Sequence, residues 1–373
     1  MTRREWLYIA GGVCLGAISD SKAHGGSAAS ELPATTANRT LLREAAAGRG
    51  LMFGAAVPWK QVSGDPPFGD LVAGQCGILT PELELKWEAL RPTAHDFDFR
   101  TAEFLYQFAK SHQMLFRGHT LVWEAALPSW FAATVDMGNA KQVMLEHVSS
   151  VVSHFAGRMH SWDVVNEPFQ LEDERPDGLK LTPWLRFVGP EYIELAFHAA
   201  HEADPRAMLV LNENWLEPEN FATDQKRGAV LALLTRLVKN RVPIHGLGIQ
   251  AHIFAGTNVT GPGFAKFLHA VEDLGLSIMM TELDVRDNSL PGDVATRDAQ
   301  VAKQYYDFLS FMLQFKSVRT VLTWGLSDRF TWINRHSPRK DRLPVRPLLF
   351  DAELRPKPAF DAVWRAFEEA PKR

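Results

Sequence analysis

The stretch His160-Ser161-Trp162-Asp163-Val164-Val165-Asn166-Glu167-Pro168 is a short apolar run that stops abruptly at an amide, an acid and a proline. The proline stiffens the chain and lacks the N–H that a further ladder bond needs. Residues 160–165 therefore predict a buried strand, with Glu167 where the strand meets a loop. Similar short apolar runs occupy 52–57, 76–79, 115–121, 207–211, 244–250, 277–281 and 319–325. Between them lie longer segments with helical periodicity, among them 101–112, 140–155, 191–203, 221–239 and 294–315. Eight alternations of strand and helix predict an α/β fold, a (β/α)₈ TIM barrel, as a single domain over 41–373. A doubly wound open sheet is the competing architecture, but no Gly-x-Gly-x-x-Gly turn follows any of the strands. The chain has no internal repeat and no Pro/Ser-rich linker to a second module.

A second acid stands in a similar setting, Glu282 in Met279-Met280-Thr281-Glu282-Leu283-Asp284-Val285. Such barrels place their chemistry at the C-terminal ends of the strands, so both carboxylates are expected on one rim. Two carboxylates there suit glycoside cleavage, which needs a proton donor for the leaving oxygen and a second carboxylate against the oxocarbenium-like carbon. Other polar and aromatic residues also fall just after predicted strands: Glu82, Glu84, Lys86 and Trp87; His119 and Trp123; Gln250 and His252; Trp324 and Trp332. Indoles can stack on a sugar ring while amides and charged groups bond its hydroxyls. Trp130, Trp162, Trp184 and Trp364 read as core. His198, His201 and Glu194 imitate a helical metal cluster, but on an outer helix away from the rim.

The Asn166-Glu167-Pro168 and Thr281-Glu282-Leu283-Asp284 motifs resemble those of family 10 glycoside hydrolases, the endo-xylanase family. The resemblance runs from about residue 40 to the C-terminus. It implies a retaining endo-1,4-β-xylanase acting on a β-1,4-linked polysaccharide or oligosaccharide, with Glu282 as nucleophile, Glu167 as acid/base, and neither metal nor cofactor. Glu82, Lys86, His119 and Trp123 match positions lining the glycone subsites, and Asn166 matches the amide on the 2-hydroxyl. His252 matches the histidine against the nucleophile, with Asp284 behind it, and Asn212 and Gln250 match supporting positions. Trp324 and Trp332 match the aromatic walls, while Leu348-Leu349-Phe350-Asp351 and Lys357-Pro358-Ala359-Phe360 match a structural terminal segment.

Three departures stand out. Leu83 replaces a sugar-binding asparagine; Trp123-Glu124-Ala125-Ala126 lacks the family's histidine and glutamine; and Asn212-Glu213-Asn214 stands where Asn-Asp-Tyr is usual. They leave open a β-glucan, an aryl glycoside or a short oligosaccharide as substrate of the same machinery. A sugar-binding barrel that no longer cleaves is the non-enzymatic alternative.

The composition, 46% hydrophobic and 23% charged, is that of a globular protein. Its net charge of −4 becomes −5 without residues 1–23, which gives no footprint for nucleic acid. Thr2-Arg3-Arg4 before an apolar run, with Ser21-Lys22-Ala23 after it, reads as a twin-arginine export signal over 1–23. The run is too short for a membrane span. Residues 24–40, rich in Ala, Ser, Thr and Gly, read as a flexible lead-in. The expected product is a periplasmic or extracellular monomer, free of the membrane and with Cys76 as its single thiol, so without an intrachain disulfide.

Overall fold

The computed structural model describes residues 40–373; the export signal at 1–23 and all but the last residue of the lead-in lie outside the described residues. Among the described residues nine parallel strands are present: β1 (Met52–Val57), β2 (Ile78–Pro81), β3 (Leu115–Gly118), β4 (Ser161–Asn166), β5 (Met208–Glu213), β6 (Gly246–Ile249), β7 (His252–Phe254), β8 (Ser277–Arg286) and β9 (Val318–Trp324). Eight close a barrel in the order β1-β2-β3-β4-β5-β6-β8-β9, sealed by the pairings of β6 with β8 and β9 with β1. The ninth, β7, pairs only with the upper end of β8, His252 opposite Asp284. Sequence periodicity misses it because three residues are too few to show a period, and it misses the upper half of β8 because charged residues interrupt the apolar run there. The predicted second strand also lies two residues too early: Cys76 caps the helix Pro66–Gln75, and the strand begins at Ile78.

Outer helices join the strands, and their ends follow from their residues. The Asn220 side chain accepts from Thr223 N at 2.9 Å to start Phe221–Lys239, and that of Asp293 accepts from Thr296 N at 2.8 Å to start Val294–Met312. Val301, Tyr305, Phe308, Leu309 and Met312 form the buried stripe of the second of these, at the spacing that keeps one helical face on the barrel. Within the wall, Gly118 is needed for close approach: a Cβ there would lie 1.9 Å from the ring of the fully buried Trp162. Trp184 is buried too, while Trp130 and Trp364 are partly buried against the core.

Two irregularities set the geometry of the rim. Between Asp163 and Val165, β4 carries one residue more than β5. Between Met280 and Leu283, β8 carries one more than β9. A bulge of this kind bends the strand and re-aims the side chains that follow it. Among the described residues no helix is long and apolar enough to cross a membrane.

Candidate active site

Glu282 lies within the irregularity in β8. Successive strand residues normally face opposite ways, yet Thr281 and Glu282 both reach the same side chain. The Thr281 hydroxyl donates to Asn212 Oδ1 at 2.7 Å, and Asn212 Nδ2 donates to Glu282 Oε1 at 2.7 Å. The extra residue in β8 is what turns both inward. Asn212 Nδ2 also donates to Asn166 Oδ1 at 2.8 Å, so the amide has both hydrogens and its oxygen engaged.

The second oxygen of Glu282 meets His252 Nε2 at 3.2 Å, while His252 Nδ1 meets Asp284 Oδ2 at 2.9 Å. Trp332 Nε1 donates to that same Asp284 oxygen at 2.9 Å. Burial opposes a charge on His252, but Asp284 and then Glu282 outweigh it and push its pKa up to about 9. The ring is therefore an imidazolium at neutral pH and donates to both carboxylates. Burial likewise tends to raise Glu282, but the His252 hydrogen bond and the electrostatic pull of His119 and His252 bring it below the usual carboxylate range. Glu282 is a buried anion with its partners in place.

Glu167 is dressed differently. It has φ +52°, in the left-handed region that non-glycine residues rarely adopt and that recurs at functional sites. Its N–H donates to Asn212 O at 2.9 Å, and its carboxyl accepts from Trp123 Nε1 at 3.1 Å and Gln250 Nε2 at 2.8 Å. No cation touches it among the described residues. The Asn166 oxygen receives Asn212, while its amide nitrogen has no protein partner among the described residues.

The other predicted residues gather around the pair. His119 Nδ1 lies 2.9 Å from Asp163 Oδ2 and 4.0 Å from Glu282 Oε1. The Lys86 ammonium sits 5.0 Å from the Trp123 ring centroid and 5.7 Å from that of Trp324, which suits a cation between two aromatic faces. Burial pushes Glu82 up to about 7 despite the pull of Lys86, with Glu84 and Glu282 adding to the rise. Near neutral pH it can thus donate as well as accept. Glu84 differs: its carboxylate receives Trp59 N at 2.8 Å and Leu83 N at 3.2 Å and braces the loop. The Glu194 carboxylate lies 3.4 Å from Arg236 on the outer surface, away from this rim.

Sequence reasoning passed over several members. Asp163, wholly buried, receives Arg117 and His119; burial alone would raise it, but those two hold it below the ordinary aspartate range. Its signal was an acid inside an apolar strand. Thr281 and its bond to Asn212 carried no signal, since in a regular strand it would face away from Glu282. Glu213 is buried, receives Phe169 N and Asn214 N, and pairs with Lys226 at 2.9 Å. Asp351, in the predicted terminal segment, accepts Arg355, while Lys357 pairs with Asp328 at 2.8 Å and anchors that segment under the rim.

Residues 41–366 match the family model described as "Glycosyl hydrolase family 10". The chain is 31% identical over 334 residues to endo-1,4-beta-xylanase B of Paenibacillus barcinonensis, covering 84% of this chain and 93% of that one. It is 33% identical over 325 residues to endo-1,4-beta-xylanase A of Thermoanaerobacterium saccharolyticum, covering 83% of this chain but only 26% of that longer protein. Its fold is similar to that of xylanase 10B from Thermotoga petrophila, solved with xylobiose, at TM-score 0.81 and 30% identity, covering 90% of this chain and 99% of the other.

Proposed function

We propose that this chain, which belongs to glycosyl hydrolase family 10, hydrolyses internal β-1,4-xylosidic bonds of xylan by double displacement. Glu282 and Glu167 are dressed in opposite ways, and that contrast carries the assignment. A buried anion fixed by an imidazolium and an amide is equipped to attack the anomeric carbon. A carboxyl facing only neutral N–H donors is equipped to give up a proton and take one back.

In the first step a Glu282 oxygen bonds to the anomeric carbon, the glycosidic C–O bond breaks, and the Glu167 proton passes to the leaving oxygen. In the second, Glu167 takes a proton from water, the water oxygen bonds to the same carbon, and Glu282 leaves as the carboxylate. The Asn166 amide nitrogen is placed to hold the 2-hydroxyl, and Trp123, Trp324 and Trp332 supply apolar faces for the rings. Relatives named as xylanases and a neighbour solved with xylobiose support xylan as the polymer. One observation favours a different β-glycan: Leu83 is 46% exposed, an apolar side chain where the family presents an amide.

Glu282→Ala is expected to abolish turnover of xylan, with azide or formate restoring cleavage of an activated aryl xyloside and giving an adduct of inverted configuration, because the anion fills the place of the missing nucleophile. Inverted rescue in Glu167→Ala instead would exchange the two roles. We also propose that residues 1–23 direct twin-arginine export to the periplasm or medium and that the mature protein is a monomer. A reporter fused to residues 1–40 and compared in cells with and without the twin-arginine translocase tests the first, and light scattering of the purified enzyme tests the second.

A further inference from the structure

One of the departures from the family pattern has a partner. Trp123 donates its indole N–H to Glu167 Oε2, and the next residue, Glu124, forms an ion pair with Lys180. Lys180 belongs to the segment that folds back along the residues just after β4: its N–H donates to Pro168 O at 2.8 Å, and Phe169 pairs antiparallel with Leu179. Two neighbours on one side, Trp123 and Glu124, thus meet two neighbours on the other, Glu167 and the backbone of Pro168 through Lys180. Both charged side chains are only 16% exposed, so the pair is less weakened by water than a surface pair.

We propose that Glu124 and Lys180 are positioning residues for proton transfer. Their ion pair fastens the loop after β3 to the segment after β4, which keeps the Trp123 indole on Glu167 and aims the carboxyl at the leaving oxygen. The proposal rests on Glu167 being the acid/base. It accounts for a carboxylate at 124: that side chain is spent inside the protein rather than on sugar. Burial raises the Glu124 carboxyl, with Lys180 pulling against it and Glu167 adding to the rise, which places the two acids within each other's field. The other charged groups around Glu167 are Glu213 with Lys226 on its far side, and Glu282 with His252 and His119 across the cleft.

The test compares leaving groups. A dinitrophenolate departs without a proton, whereas a sugar alkoxide needs one, so misplacing the acid slows the glycosylation step, which kcat/KM reports, only for the second; the later hydrolysis of the glycosyl-enzyme uses Glu167 as base with either substrate and shows in kcat. Glu124→Ala is expected to lower kcat/KM on xylotriose about 10- to 100-fold, part of the ~100- to 10,000-fold that a general acid contributes. On a dinitrophenyl β-xylobioside kcat/KM of the same variant should stay within about threefold of wild type. Lys180→Met removes the pair from its other end and should show the same split; it decides the matter if Glu124→Ala does not fold. Equal losses of kcat/KM on both substrates, or no loss on either, overturn the clamp. Glu167→Ala is measured beside them: if it too fails to discriminate between leaving groups, the acid/base assignment has failed rather than the clamp.

Discussion

Replacing Thr281 by valine removes one oxygen and leaves the shape nearly unchanged. The hydroxyl donates to Asn212 Oδ1 at 2.7 Å, and both residues are wholly buried, so no solvent can stand in for it. An unmet buried acceptor costs about 1–3 kcal/mol. For a chain of this length, at roughly 2.1 cal/mol/K of unfolding entropy per residue, that corresponds to a Tm lower by about 1.5–4 °C. The same hydroxyl determines which end of the Asn212 amide faces Glu282. Without it the amide is free to turn, Glu282 loses a donor in a fraction of molecules, and about 0.5–2 kcal/mol of transition-state stabilisation goes with it, a fall of about 2- to 30-fold in kcat. Because Glu282 acts whatever the leaving group, xylotriose and an activated aryl xyloside should slow alike. Thr281→Ser keeps the oxygen and should retain most of the rate. Differential scanning fluorimetry and steady-state kinetics on the three proteins are sufficient. A lower Tm with full kcat in Thr281→Val, or an equal kcat loss in Thr281→Ser, would refute the idea that this hydroxyl orients the amide.

His252→Asn removes the group that, with His119, holds Glu282 below its ordinary range against burial, so the acid limb of kcat/KM should move to higher pH; an unmoved limb would assign the lowering elsewhere. His252 itself is raised in the folded state from 6.5 to about 9, so the stability it contributes is present below about 6.5 and is lost as pH rises through about 9. The melting temperature of wild type should therefore fall more steeply over that window than that of His252→Asn. Leu83→Asn should raise kcat/KM on xylo-oligosaccharides by up to about tenfold, one restored hydrogen bond being worth about 0.5–1.5 kcal/mol. Since Leu83 is half exposed, the change should leave Tm in place; unchanged kinetics would remove the position from the sugar contacts. Proton NMR of the first-formed product from xylan should show the β anomer, and an α anomer would contradict double displacement.

The barrel was readable because its wall is made of apolar runs with a regular rhythm, and Glu167 and Glu282 because each ends such a run in a distinctive motif. His119, Gln250 and His252 were readable for the same reason, as residues that close a strand. What escaped was everything that depends on the third dimension. Strand β7 is three residues long, and its existence follows from the reach of β8 beyond the barrel wall. Asp163 looked like an interruption of β4 and is instead the counter-ion of Arg117 and partner of His119. Glu124 stood in the sequence only as part of a departure from the family pattern, and only the fold of the segment after β4 brings Lys180 to it.

The single extra residues in β4 and β8 also matter for anyone who wishes to redesign this enzyme. Below them, the inward-outward alternation of each strand is dictated by what fills the barrel; above them, the alternation restarts with a new phase. Wall and rim can therefore drift independently, the wall exchanging one apolar residue for another without turning Glu167 or Glu282. The same independence is a trap for grafting. Strands transplanted by matching their wall-facing residues alone arrive one position out of step at the top, with Asn166 or Pro168 where Glu167 should be and Thr281 or Leu283 where Glu282 should be.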